Sequence, residues 1–289
     1  MHRVRAEVLT ARRLGSFVSL ALVAPEIAEE AKPGQFITVA MPPGRAFFLR
    51  RHFAVHQASR AGGWAGTLEF AFEPAGLGTE WLGEVGAHQF LDVIGPLGQG
   101  FAYPRKLTNC LLVAEGRGAP AISFLAQELR AQGKRIDMIV GAVTQDRVFK
   151  PIEAKRVAQT LTILTADGSL GAPGRAVDAM ADVADRAGAE VVYAAGPRTM
   201  LRQVADFCRE RRLPAQIAVD ERMACGLGLC FTCVVPVARK DGSGYENLRA
   251  CRDGPVFNPA RVLWDRWGPA SVDTATPPEG FPTVGEWPA

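Results

Sequence analysis

Between residues 3 and 96 the apolar positions fall in short runs: RVRAEVLTARRL, FVSLALVA, GQFITVAM, TLEFAFEP and QFLDVIGP. Each is rich in β-branched and aromatic residues, and KPG, PPG, AGG and GPLGQG punctuate them. Short strands at close spacing predict an antiparallel barrel or sandwich over 1–102. From about residue 108 the period changes. NCLLVAEG reads as a buried strand running into glycines. APAISFLAQELRAQG has helical spacing, with Ile122, Leu125, Ala126 and Leu129 on one face. IDMIVGAV, LTILTAD and VVYAAGP read as further strands, and GRAVDAMADVADRAG and RTMLRQVADFCRERR as amphipathic helices. Strands alternating with helices predict a doubly wound parallel sheet over 103–213. AQIAVDE is a last strand leading into a cysteine-rich segment, 214–260. Residues 261–289, rich in Pro, Gly and Trp, read as an irregular tail.

Composition narrows the function classes. Of 289 residues, 48% are hydrophobic and 22% charged, a globular balance. The 33 basic and 30 acidic side chains leave a formal charge of +3, too mild to argue for nucleic acid or a membrane surface. No apolar run reaches the roughly 18 residues of a spanning helix. Pro25 ends the best candidate, FVSLALVAPEIAEE, and the N-terminus MHRVRAEVLTARRLG has no signal-peptide core. The expected location is cytoplasmic. Thiols stay reduced there, so clustered cysteines are expected to bind metal or do redox chemistry.

Four cysteines are clustered. Cys225-x4-Cys230-x2-Cys233-x17-Cys251 has the spacing of a plant-type [2Fe–2S] site. One tight loop supplies three thiolates and a later segment closes the cage. Gly226 and Gly228 let the loop take positive φ, so its N–H groups can turn toward sulfur. Arg222, Arg249 and Arg252 flank the ligands and are expected to offset cluster charge. The alternative is a structural zinc site, although zinc usually takes two close cysteine pairs. Cys110, in an apolar strand, and Cys208, on a helix, read as packing residues.

Two strand-to-helix turns are rich in glycine: LLVAEGRGAPA, with Gly116 and Gly118, and VVYAAGPRTML, with Gly196 and Pro197. Both fall at C-terminal strand ends, where open α/β sheets bind ligands. The first lacks a full G-x-G-x-x-G, so a plain turn is its alternative. In the β-rich half, Arg51 in FFLRRHFAVHQAS suits a pyrophosphate, and Gly78–Thr79 opens a helix suited to phosphate oxygens. A surface arginine and a helix cap are their alternatives.

The order of these pieces resembles the ferredoxin–NADP reductase superfamily. ERMACGLGLCFTC…RACRDGPVF, with LTADGSLGAPG, resembles more closely the electron-transfer subunit of class 1B dihydroorotate dehydrogenase, over about residues 3–260. The resemblance implies FAD on the barrel, NAD(H) at the second domain, and a [2Fe–2S] cluster. The cluster would relay electrons to FMN in a separate catalytic subunit of pyrimidine biosynthesis, in a heterotetramer with two copies of each chain. It places the flavin on Arg51, His52, Phe53, Ala54, on Ala71, Phe72, Glu73, and on Gly78 and Thr79. It places the nucleotide near Gly116, Gly118, Gly196 and Pro197, and the cluster on Cys225, Cys230, Cys233 and Cys251.

This chain departs from that pattern at several positions. Ala54 replaces a serine, Glu73 stands where arginine is common, and Ala114-Glu115-Gly116-Arg117-Gly118 replaces Gly-Gly-Gly-Ile-Gly. Ala195-Gly196-Pro197 replaces Cys-Gly-Pro. Glu115 sets a carboxylate near the nucleotide, with Arg117 as its expected counter-charge. No catalytic acid–base residue is expected, and His52 and His56 read as structural. The rival functions are a flavin subunit of another multi-subunit oxidoreductase such as a cytoplasmic hydrogenase, a stand-alone NAD(P)H reductase, and a non-enzymatic redox-sensing or zinc module. Trp264 and Trp267 suit either an interface or the chain's own core.

Overall fold

A computed structural model describes residues 1–42, 48–103 and 106–268. The first body contains strands β1 (His2–Leu14), β2 (Phe17–Val23), β3 (Phe36–Val39), β4 (Arg51–Ser59), β5 (Thr67–Phe72) and β6 (Phe90–Leu97). They close into an antiparallel barrel in the order β1-β2-β5-β4-β3-β6. Alternate residues point inward, so Val8, Leu20, Leu22, Ile37, Val55 and Phe70 fill it. Helix α1 (Pro25–Glu30) adds Ile27 to that core, and α2 (Leu77–Gly83) adds Leu82. The pattern of apolar runs anticipated five of the six strands. It passed over β4, where Arg51, His52 and His56 interrupt the apolar run.

The second body contains β7 (Asn109–Glu115), α3 (Ala119–Ala131), β8 (Arg135–Ala142), α4 (Pro151–Val157), β9 (Thr160–Thr165) and β10 (Ala172–Pro173). It continues through α5 (Met180–Ala187), β11 (Val191–Ala195), α6 (Arg198–Arg211) and β12 (Ala215–Ala218). The sheet runs β10-β9-β8-β7-β11-β12, all parallel. Its order reverses between β7 and β11, a switch point. Cys110, Leu112 and Ala114 of β7 share one core with α3, while Leu111 and Val113 share another with α5 and α6. Ile122, Leu125, Ala126 and Leu129 are all buried.

The cysteine segment carries a hairpin, β13 (Val234–Ala238) with β14 (Tyr245–Arg249), and then β15 (Val256–Phe257). β15 pairs antiparallel with β12 and so joins the large sheet. Cys233, Val235, Cys251 and Trp267 belong to the core on the α5/α6 side. Trp267 is buried under Arg198, whose guanidinium lies 4.1 Å above its ring. Of the two options for this tryptophan, burial in its own chain is the one observed. Residues 269–289 of the expected tail lie outside the described residues.

The barrel meets the sheet at the loop after β8. Phe149 packs edge-on against Phe17 (5.1 Å) and His56 (5.3 Å). Ser16 N donates to the Asp146 carbonyl at 2.8 Å. Two ion pairs cross the same seam, Arg147–Glu73 and Lys150–Glu69, each at 3.6 Å.

Candidate functional site

The thiol loop lies between β12 and β13. Gly226 and Gly228 take φ of 70° and 83°, as the loop's tight path requires. That path aims donors at sulfur. Leu227 N and Leu229 N reach Cys225 Sγ at 3.3 and 3.4 Å, and Gly228 N reaches Cys251 Sγ at 3.2 Å. Cys251 N reaches Cys233 Sγ at 3.4 Å, and the Thr232 hydroxyl reaches Cys230 Sγ at 3.2 Å. All four sulfurs therefore accept a hydrogen bond, which favours thiolates and tunes a bound cluster. The Thr232 hydroxyl, with help from Cys225, pulls the Cys230 thiol down to about 6. Burial, then the neighbouring Cys233, pushes Cys251 up to about 12.

The Cys230 thiol interacts with Cys225, and Cys251 with both Cys233 and Cys225. Among the described residues, no three His, Cys, Asp or Glu side chains gather around a single-ion site. Arg249, expected to offset cluster charge, also braces the thiol loop. It donates to the Gly228 carbonyl at 2.9 Å, pairs with Asp253 at 3.1 Å, and lies 4.7 Å from the Phe231 ring centre. The Arg252 stem packs beneath Gly228. Around the exposed Cys230, Leu229 is 77% and Phe231 59% exposed.

At the start of β4 the Arg51 guanidinium lies against Gly78. A Cβ there would stand 3.0 Å from Nε and 3.2 Å from Nη2. The two expected phosphate contacts are thus neighbours. The Thr79 hydroxyl accepts from Ala75 N (2.9 Å) and donates to the Gly76 carbonyl (3.0 Å), so it shapes this turn. Phe53 stacks on Phe70 and meets Phe72 at a tilt inside the barrel. Ala54 and Ala71 pack at the sheet-side core. Glu73 accepts from Ser16 Oγ at 2.7 Å and pairs with Arg147, placing its carboxylate in the interdomain seam. The His52 ring leaves the barrel toward the thiol loop, and burial pushes its pKa down to about 4.

The glycine turns of β7 and β11 touch. A Cβ on Gly118 would stand 2.3 Å from the Ala195 carbonyl carbon and 2.4 Å from Gly196 N. Glu115 departs from expectation. Its counter-charge is Arg175, at 3.0 Å, with Ala176 N adding a hydrogen bond at 3.3 Å. Arg117 instead pairs with Asp220 at 3.6 Å. Sixty-odd positions separate Glu115 from its partner, so local sequence gave no sign of it. Cys110 and Cys208 are buried, and burial pushes their thiols up to about 11 and about 12. A cavity of about 290 Å³, lined in part by Gln57, Ser123, Met138, Phe149 and Lys150, includes none of the expected contacts.

Comparison with known proteins adds a family. Residues 220–263 match the iron-sulfur cluster binding domain of dihydroorotate dehydrogenase B. The dihydroorotate dehydrogenase B (NAD(+)) electron transfer subunit of Desulforamulus reducens is 32% identical over 242 residues, covering 84% of this chain and 90% of the relative. That of Shouchella clausii is 34% identical over 235 residues, covering 81% and 87%. The chain belongs to this family of electron transfer subunits. Solved structures agree with a ferredoxin–NADP reductase-like fold for a dihydroorotate dehydrogenase B electron transfer subunit. An NADH-dependent reduced ferredoxin-NADP oxidoreductase aligns with TM-score 0.75 and 26% identity, covering 91% of each chain. The ferredoxin reductase of carbazole 1,9a-dioxygenase aligns with TM-score 0.60 at 20% identity, covering 74% and 67%, a likeness of fold alone.

Proposed function

We propose that this chain is the electron-transfer subunit of a dihydroorotate dehydrogenase, moving electrons between NAD(H) and a separate catalytic subunit. The observation that carries this reading is the set of four sulfurs, each with a donor aimed at it, inside the family's cluster-binding segment. When bound, FAD exchanges two electrons as hydride and releases them singly, and a [2Fe–2S] cluster carries one at a time. The chain's own groups bind and orient. Cys225, Cys230, Cys233 and Cys251 hold the cluster. Arg51 and the Gly78–Thr79 turn hold the flavin pyrophosphate. The backbone of His52, Phe53 and Ala54, and of Ala71, Phe72 and Glu73, lines the flavin. Gly116, Gly118, Gly196 and Pro197 take the nucleotide at the switch point. No proton-transfer residue is assigned.

The exposed apolar rim around Cys230 is the face offered to the FMN-containing catalytic subunit, in an assembly with two copies of each chain. An anaerobic NADH titration of the purified chain tests the reading. Flavin and iron–sulfur bands should bleach together, and Cys251→Ser should abolish the iron–sulfur bands while sparing flavin. Bands that are present but unmoved by NADH would remove the nicotinamide assignment. The alignment to the NADH-dependent reduced ferredoxin-NADP oxidoreductase, over 91% of each chain, supports a second reading, the same module in another multi-subunit oxidoreductase. Co-purification with a partner that lacks FMN would favour it.

A further inference from the structure

The barrel and the thiol loop meet at a contact that cofactor binding alone does not explain. Thr38 of β3 and His52 of β4 are cross-strand partners. Their side chains form a floor under Gly226, the residue after Cys225. A Cβ on Gly226 would stand 2.5 Å from His52 Nε2 and 3.0 Å from Thr38 Cγ2. An added side chain would have to displace this floor, and φ of 70° favours glycine as well.

The floor is fixed from behind. Thr38 is fully buried, and its hydroxyl accepts from Arg50 Nε at 2.7 Å. Arg50 Nη2 in turn donates to the Asp92 carboxylate at 2.8 Å and to the Asp92 carbonyl at 2.6 Å. Phe36 meets the His52 ring edge-on with centroids 6.0 Å apart. The buried His52 ring faces the Cys225 backbone closely enough for a weak hydrogen bond, though Nε2 has none of good geometry among the described residues, so the ring bears on the loop by packing and by this polar contact. Its chain neighbour Arg51 meanwhile faces Gly78 at the phosphate position. Adjacent residues of one strand thus touch both candidate cofactor sites.

We propose that His52 is a positioning residue whose imidazole is the spacer that sets the Cys225–Gly226 turn against the flavin strand. This rests on reading residues 51–54 as the flavin strand and the four cysteines as cluster ligands. A filler of the same gap would serve stability alone. A spacer also fixes the surroundings of one ligand, so the cluster's own signature reports on it.

The test uses the full chain, purified anaerobically with FAD and cluster, as parent, His52→Ala and His52→Gln. Four quantities are read: FAD content, melting temperature, the EPR spectrum after dithionite, and the half-life of the iron–sulfur bands under a chelator. His52→Ala should keep its FAD, shift the EPR g-values, and shorten the half-life about tenfold, the scale for supports of metal ligands. His52→Gln, which restores an atom near the Nε2 position, should recover most of both. An alanine variant with the parent's EPR spectrum and half-life overturns the proposal. So does a fall in FAD, cluster and melting temperature together in both variants, which would make His52 a core filler. A parent chain that binds no flavin or no cluster overturns the underlying reading, and this inference with it.

Discussion

At Gly118 the glycine turns after β7 and β11 are in backbone contact, and any side chain would have to part them. Overpacking of this kind costs about 1–3 kcal/mol. Gly118→Ala should lower the melting temperature and weaken NADH-driven bleaching while leaving the iron–sulfur bands intact, as parallel melting and titration would show. His56 makes a pH prediction. Burial pushes its pKa down from 6.5 to about 3, with Lys150 adding to the effect. Glu69, 3.4 Å from Nε2, pulls the other way, but Lys150 already engages that carboxylate. Burial therefore wins, and the ring stays neutral. Below about pH 6.5 the unfolded chain takes up a proton that the folded chain refuses. The His56 contribution is complete above that pH and is lost progressively as pH falls toward 3. In His56→Gln, urea midpoints should fall less between pH 7 and pH 5 than in the parent. The cysteine cluster was legible as a candidate site because three of its members sit on one loop, where spacing largely sets geometry. The partners of Glu115 and Glu73 were not, because Arg175, Ser16 and Arg147 arrive from other elements.

Elements with a clean period were read correctly, and those governed by their neighbours were missed. α3 declared itself through Ile122, Leu125, Ala126 and Leu129. β4 did not, because its polar residues are paid for by tertiary partners: Ser19 for His56 and the thiol loop for His52. The β13–β14 hairpin was hidden behind the charges of ARKDGSGYENLR. In the seam between barrel and sheet, magnitude decides which contact matters. Arg147 is about half exposed, and such ion pairs contribute about 0–1 kcal/mol. Phe149 is buried against two rings, and deleting a buried phenylalanine costs about 3–5 kcal/mol. Urea unfolding should therefore show a large loss for Phe149→Ala and a small one for Arg147→Ala.

On the scale of the whole molecule, the change of period near residue 108 revealed two bodies, but not how they share cores. Phe17 and Ala71 of the barrel lie in one sheet core, and Cys233 and Cys251 lie in the other. No single segment encodes that sharing. It makes the thiol loop part of the body that carries the glycine turns. The partner face should be separable from the cofactor sites. Leu229 is 77% exposed and supports no core, so Leu229→Glu should leave flavin and iron–sulfur spectra unchanged. It should weaken association with the catalytic subunit by about 1–2 kcal/mol, the scale of an interface anchor, as measured by calorimetry.

The sheet's outermost strands, β10 and β15, are two residues each, and β10 ends in Pro173. The barrel closes on itself. The closed barrel has no edge strand, whereas in the sheet β10 pairs with β9 only at Leu164 and Thr165, so among the described residues no strand covers the outer side of β9 before Leu164. Growth by β-augmentation is closed to the barrel, so whatever joins this subunit through it must recognise side chains, and a single surface substitution can decide whether it does.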